Sequence, residues 1–258
     1  MIEFSDQVVV ITGAGAGMAC VTAQTFAKHG AKVAAIDINA HTVEQTVQTI
    51  RKSGGEAISI QADVGVESSV DAAFKTIESS YGKVDALVNV AGLELYKDFL
   101  DFTDSDWDRQ IAVNLKSVFL CCRRAIPFML RGGGGSIVNT ASCLAFGSVG
   151  RIGPYCASKA GIIAMTRDIA LEFGKDGIRI NTICPGVIHT PMLNRSFGTE
   201  EERKVEFAKI EEILPLRRIG EPIDYANLAM FLVSSMSSYI TGQWIAADGG
   251  LMCRLPLM

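Results

Sequence analysis

The chain has 258 residues, 48% hydrophobic and 20% charged, with a formal net charge of −4. That balance suits a globular protein with enough apolar material for a large core, and it excludes a nucleic-acid surface, which needs a clustered excess of Lys and Arg. The apolar runs are strand-length, well short of the roughly 20 residues that cross a bilayer, so a membrane-spanning role is excluded too.

Before the first strand, Met1 to Asp6 carries neither the basic segment nor the apolar stretch of an export signal, and the expected location is cytoplasmic. Val8 to Ile11 is a β-branched run ending in Thr12-Gly13, and a helical pattern (Ala19, Ala23, Phe26, Ala27) then runs to Gly30. Lys32 to Ile36 is the next strand. Strand, Gly-rich turn, helix and strand within about 30 residues make a βαβ unit with buried, parallel strands. A helix from about Ala40 to Lys52, a strand around Ile58 to Gln61, a helix from Glu67 to Tyr81 and a strand from Ala86 to Val90 follow. Thr103 to Leu130 reads as one long helix, capped near Thr103 or Asp104 and stopped by the glycines at 132–135. Ser136 to Thr140 is a fifth strand, and Tyr155 to Gly174 is helical with Pro154 in its first turn. Ile178 to Cys184 is the sixth strand, and the poorly periodic section beyond it holds one solvated, charge-alternating helix, Glu200 to Ile213. Pro222 to Ser234 is a last core helix and Trp244 to Ala247 a last strand. No repeat or linker divides the series. The expected fold is α/β: a single doubly wound, Rossmann-like domain over 1–258, with a predominantly parallel sheet of about seven strands, helices on both faces and a lid-like section at about 187–215.

Three stretches carry chemistry. Tyr155 and Lys159 stand four residues apart, on one face of a helix. An ammonium about 4 Å from a phenol, at an effective dielectric near 20, favours the phenolate by up to about 4 kcal/mol, or roughly three pKa units. Such a tyrosine exchanges a proton with an alcohol or carbonyl oxygen near neutral pH. Thr12 to Ala19 holds glycines at 13, 15 and 17, which let the chain turn tightly and approach a pyrophosphate over a helix N-terminus, although the stretch does not satisfy Gly-x-Gly-x-x-Gly. Asp37, at the end of the second strand, is placed to accept hydrogen bonds from ribose hydroxyls and to repel a 2′-phosphate. The cysteines at 20, 121, 122, 143, 156, 184 and 253 have no metal-ligand spacing, nor do His29, His41 and His189, so no metal is expected. Most of these thiols read as small buried hydrophobes in a reducing compartment, with Cys143 and Cys156 beside the proposed catalytic residues.

Tyr155-x-x-x-Lys159, Thr12-Gly13-x-x-x-Gly17-x-Ala19, Asn89-Val90-Ala91-Gly92, Asn114, Ser142 and Pro185-Gly186, in this order and spacing, resemble the short-chain dehydrogenase/reductase family from Val8 to Gly250. Two positions depart from its pattern: Ala19 replaces the final glycine of the turn, and Val90 the second asparagine of Asn-Asn-Ala-Gly. The resemblance implies a catalytic group of Asn114, Ser142, Tyr155 and Lys159, in which Ser142 bonds the reacting oxygen, Lys159 lowers the tyrosine pKa and holds the nicotinamide ribose, and Asn114 anchors a water. It implies that the cofactor, NAD given Asp37, meets Gly13, Gly15, Gly17, Met18, Asp37, Asp63, Val64, Asn89, Ala91, Gly92, Tyr155, Lys159, Pro185, Gly186, Ile188 and Thr190. Asn89 would also steady the central strands. Candidate substrate residues are Glu94, Leu144, Val149, Ile152, His189 and Met192, with Leu93, Leu95 and Ala145 beside them. Mostly apolar, they suit a cyclic, aromatic or alkyl secondary alcohol or ketone. Two rival readings share these motifs: an NADPH-dependent 3-oxoacyl-thioester reductase, and a dinucleotide sensor without turnover. Asp37 argues against the first and the intact catalytic group against the second. The resemblance also implies a homotetramer, built through the Asn114 and Tyr155 helices and through the last strand and tail.

Overall fold

In a computed structural model, residues 2–195 and 199–253 are described. Seven parallel strands form one sheet: β1 (Val8–Thr12), β2 (Lys32–Asp37), β3 (Glu56–Gln61), β4 (Ala86–Asn89), β5 (Gly135–Thr140), β6 (Ile178–Pro185) and β7 (Trp244–Ala247). Their order, β3-β2-β1-β4-β5-β6-β7, reverses between β1 and β4. Strands run parallel because each return passes through a helix, and burial on both faces explains unbroken runs such as Val8-Val9-Val10-Ile11.

On one face lie α3 (Glu67–Tyr81), α5 (Ser117–Gly132) and α6 (Gly153–Phe173), whose Phe74, Ile77, Met129 and Ile162 pack with Leu87 and Ile137 of the sheet. On the other lie α1 (Gly17–Lys28), α2 (Ala40–Lys52) and a helix over 222–233, whose Phe26, Val47 and Tyr225 pack with Val9 and Ile11. Ala19 is 2% exposed in this second core, so its methyl is accommodated where the family pattern has glycine.

The expected single helix from Thr103 to Leu130 is corrected by the structure. Thr103 does cap α4 (Asp104–Ile111), through a reciprocal box with Asp106. A π-helical turn, Ala112–Lys116, then interrupts the ladder before α5 begins. That wider turn holds Asn114, fully buried, and its cause is tertiary. Asn114 Nδ2 donates to Leu93 O at 2.9 Å while Oδ1 accepts the Leu93 N–H at 2.7 Å. The section expected as a lid contains a helix with no sequence signal, α7 (Pro191–Arg195), and then α8 (Glu200–Ile213); residues 196–198 fall outside the described residues. The chain returns to the sheet through α9 (Pro222–Val233) and β7.

Beneath the sheet's upper edge, a buried polar ladder ties the central strands. Asn89 Nδ2 donates to Asn139 Oδ1 at 2.9 Å, Asn139 Nδ2 to Thr166 Oγ1 at 2.9 Å, and Thr182 Oγ1 to the same hydroxyl at 2.9 Å. Each of these amide donors has a partner, so the ladder fixes the register of β4, β5 and β6. The carboxyl ends of β1, β4, β5 and β6 open above it into a crevice, at the point where strand order reverses.

Candidate active site

Two adjoining cavities fill the crevice, of about 270 Å³ and about 470 Å³. They share Met18, Val90, Gly92, Thr190 and Met192, so a ligand can pass from one to the other.

The smaller cavity is built by the turn between β1 and α1. Gly13 has φ +75, and a Cβ there would stand 2.9 Å from Ala91 Cα, so only glycine lets the turn lie against β4's exit. At Gly15 a Cβ would fall 2.9 Å from the Asp37 carboxyl carbon; its absence lets Asp37 Oδ2 accept the Gly15 N–H at 2.9 Å. Asp37 Oδ1 accepts the Asn39 N–H at 2.9 Å, so the carboxylate is held at the cavity wall. Helix α1 starts here with no side-chain cap and no acid in its first turn, leaving the positive end of its dipole for an anionic group. On the opposite wall Asp63 accepts the Gly65 N–H at 2.9 Å and pairs with Arg109 at 2.9 Å, beside Val64. Narrow, glycine-lined and ended by a carboxylate, this arrangement fits a nicotinamide dinucleotide: pyrophosphate on the turn and α1, adenosine ribose at Asp37.

The larger cavity holds the catalytic candidates. Ser142 caps a short 3₁₀ turn after β5 and accepts the Leu144 N–H at 3.1 Å; it lines the same cavity as Tyr155, near enough to favour that residue's phenolate. Tyr155 and Lys159 stand one turn apart on α6, and Lys159 Nζ lies 5.4 Å from the centre of the Tyr155 ring. Burial, and next the charge of Glu94, push Tyr155 above its ordinary value, and the Lys159 ammonium donates to Thr140 O at 2.9 Å. Burial lowers Lys159 to about 8, partly opposed by Cys184 and Glu94. Thr140 is fixed in turn, its Oγ1 donating to Asn89 O at 2.6 Å and accepting from Tyr225 Oη, also at 2.6 Å. Asn114 closes the group from behind, donating to Ser158 Oγ at 3.2 Å.

Residues 13–252 match the family model described as enoyl-(acyl carrier protein) reductase. The chain belongs to the short-chain dehydrogenase/reductase family. It is an oxidoreductase of that family, whose members bind a nicotinamide dinucleotide. An uncharacterized oxidoreductase of Bacillus subtilis, YxbG, is 41% identical over 98% of this chain and 93% of its own length. A (2S)-[(R)-hydroxy(phenyl)methyl]succinyl-CoA dehydrogenase subunit of Thauera aromatica is 38% identical, covering 95% of this chain and 96% of that protein. A solved 7α-hydroxysteroid dehydrogenase, complexed with NADH and 7-oxo glycochenodeoxycholic acid, is similar with a TM-score of 0.90 at 36% identity, over 96% of this chain and 95% of that one.

With the family in view, the expected site residues divide by position. Gly13, Gly17, Met18, Asp37, Asp63, Val64, Ala91 and Gly92 line the smaller cavity, with Gly15 just behind on Asp37. Ser142, Tyr155, Lys159, Pro185, Gly186, Ile188 and Thr190 line the larger one, joined by Glu94, Leu144, Val149 and Met192. Asn89 lies one layer below, where its amide serves the ladder. Two substrate candidates are displaced. Ile152 is fully buried at the start of α6, and the His189 ring turns away, edge-on to Phe207 at 5.1 Å and 3.8 Å from Glu221. Sequence reasoning missed Tyr96, Arg109, Thr140, Ile210, Ile213 and Leu251. Tyr96 had a signal, since in an extended segment it faces the same way as Glu94, and so did Thr140, at the carboxyl end of the expected fifth strand; the other four reach the crevice through tertiary packing alone.

Proposed function

We propose that this chain is an NAD-dependent dehydrogenase interconverting an apolar secondary alcohol and a ketone, with one domain carrying both cofactor and substrate sites. The observation that carries the reading is the Ser142–Tyr155 hydroxyl pair above Lys159, at the floor of a largely apolar cavity joined to a dinucleotide-shaped one. Ser142 and Tyr155 hold the reacting oxygen between two hydroxyls. Tyr155, kept protonated by burial, donates to a ketone oxygen as it becomes an alkoxide and takes the proton back in the reverse direction. Lys159 anchors the floor through Thr140 and is placed to bond a ribose hydroxyl; Asn114 holds the Leu93 loop that borders it. The dinucleotide, when bound, supplies hydride transfer at its nicotinamide ring. The Asp37 carboxylate supports NAD over NADP, because a 2′-phosphate beside it would place like charges together. We further take the active form to be a homotetramer.

The test is a panel of apolar secondary alcohols with NAD and with NADP, read by nicotinamide absorbance. NAD is expected to be preferred, and Asp37→Ala to reduce the NAD-to-NADP ratio of kcat/KM about tenfold or more. Tyr155→Phe should lower kcat by about 100-fold or more while NAD affinity stays within a few fold. A Tyr155→Phe enzyme retaining a tenth of the activity removes the acid–base assignment, and an unchanged cofactor ratio removes Asp37 from selection.

A further inference from the structure

Glu94 is the one carboxylate among the described residues that line the larger cavity, whose remaining wall is mostly apolar, with Leu144, Val149, Met192, Leu193, Ile210 and Leu251 among it. It shares that space with Tyr155 and Lys159 and stands near enough for its charge to act on both. Burial raises its own pKa, opposed by the nearby Tyr96 hydroxyl and the charge of Lys159. A carboxylate has about four acceptor sites, more than the single Tyr96 hydroxyl beside Glu94 can fill. An acid desolvated in an apolar cavity is costly unless a ligand donates to it.

We infer that Glu94 selects substrates: the cavity takes apolar secondary alcohols, or the matching ketones, that carry a neutral hydroxyl on the carbon next to the reacting one. With the reacting oxygen on Ser142 and Tyr155, Glu94 accepts from that second hydroxyl. An ammonium there would be drawn by Glu94 and opposed by Lys159 in the same cavity, and a carboxylate would be repelled by Glu94 itself. Oxidation of such a diol passes the carbinol hydrogen as hydride to the oxidised nicotinamide dinucleotide, releases the hydroxyl proton through Tyr155, and leaves a hydroxyketone. Turnover rests on the dehydrogenase reading above; recognition by Glu94 does not.

Binding and turnover are therefore measured separately, with indane-1,2-diol, 2-indanol and 1-amino-2-indanol as probes. Calorimetry on the protein with NADH should show the diol binding at least tenfold more tightly than 2-indanol, and kcat/KM with NAD should favour it by a similar factor. Glu94→Leu should bring both ratios to within about threefold of one, and Glu94→Gln, which keeps the shape and one acceptor oxygen, should lie between. Selective binding lost in Glu94→Leu without turnover by any variant upholds Glu94 and defeats the dehydrogenase reading. Turnover in which Glu94→Leu leaves the diol ratio unchanged, or in which the amino alcohol is preferred, overturns the inference and leaves that reading intact.

Discussion

Lys159 is buried against a backbone carbonyl, and this has a thermodynamic signature. Burial lowers it to about 8 from 10.5 in the folded chain, while the unfolded chain takes up the proton near the higher value. Between those values the unfolded state binds more protons, so stability rises with pH across the window; below it both states are protonated and the penalty is constant. The shift corresponds to about 3 kcal/mol. Lys159→Met, in protein without nucleotide, should therefore raise the melting temperature relative to wild type most at pH 7, and the gap should narrow by several degrees as pH rises from 8 to 10. Calorimetry at matched ionic strength reads this directly, and a gap independent of pH would show that the ammonium bears no burial penalty. The pairing of Tyr155 with Lys159 was legible because both residues sit on one helix, where spacing sets direction. Its electrostatics were not, because the burial of Tyr155 and the charge of Glu94 come from other segments.

Elements were legible where a period or a cap marks them, and opaque where another element imposes the geometry. Thr103 announces α4, but nothing in Ala112-Val113-Asn114-Leu115-Lys116 announces a π turn, which answers the backbone of Leu93. The same holds for Arg179, near the start of β6. Its guanidinium donates to Leu232 O at 2.9 Å and to Val233 O and Ser234 O at 3.0 Å, which are the carbonyls at the end of α9, and also to Ser237 O at 3.0 Å. A cation there satisfies the carbonyls a helix leaves unpaired and meets the negative end of its dipole, with no carboxylate paired to it among the described residues. Burial lowers its pKa, yet an arginine stays charged at any working pH. Arg179→Met keeps the stem and removes these bonds, so it should cost about 3 kcal/mol and several degrees of melting temperature. Arg179→Lys should recover only part, because one ammonium cannot reach so many carbonyls. A Met variant as stable as wild type would mean that solvent serves the end of α9 equally well.

At the scale of the whole molecule, strand and helix alternation carried the sheet and its two faces from sequence alone, because each apolar run had one way to be buried. The assembly is argued from what the folded chain leaves uncovered. Helices α4, α5 and α6 expose Trp107, Phe119 and Leu171, the last at 85%, while Ala157, Ala160 and Ala164 form a strip of small residues on the outer side of α6, followed by Arg167 and Asp168. At the far edge of the sheet, β7 pairs on one side only among the described residues, with β6, and the Trp244 ring lies 4.3 Å from that of Phe146 beside it. An open edge strand and an apolar helical face both favour a partner surface. Residues 254–258, the end of the tail expected at the second interface, lie outside the described residues. Two different patches, each closing on a copy of itself by a two-fold axis, make a tetramer with dihedral symmetry. Light scattering at micromolar concentration should then give about four times the chain mass. Leu171→Glu, which puts a charge on the α6 face, should halve that mass to a dimer held by the β7 edge, with the far-UV dichroism unchanged. A fully active monomer in the wild type would refute the assembly, and a tetramer that survives Leu171→Glu would move the helical interface off this part of α6.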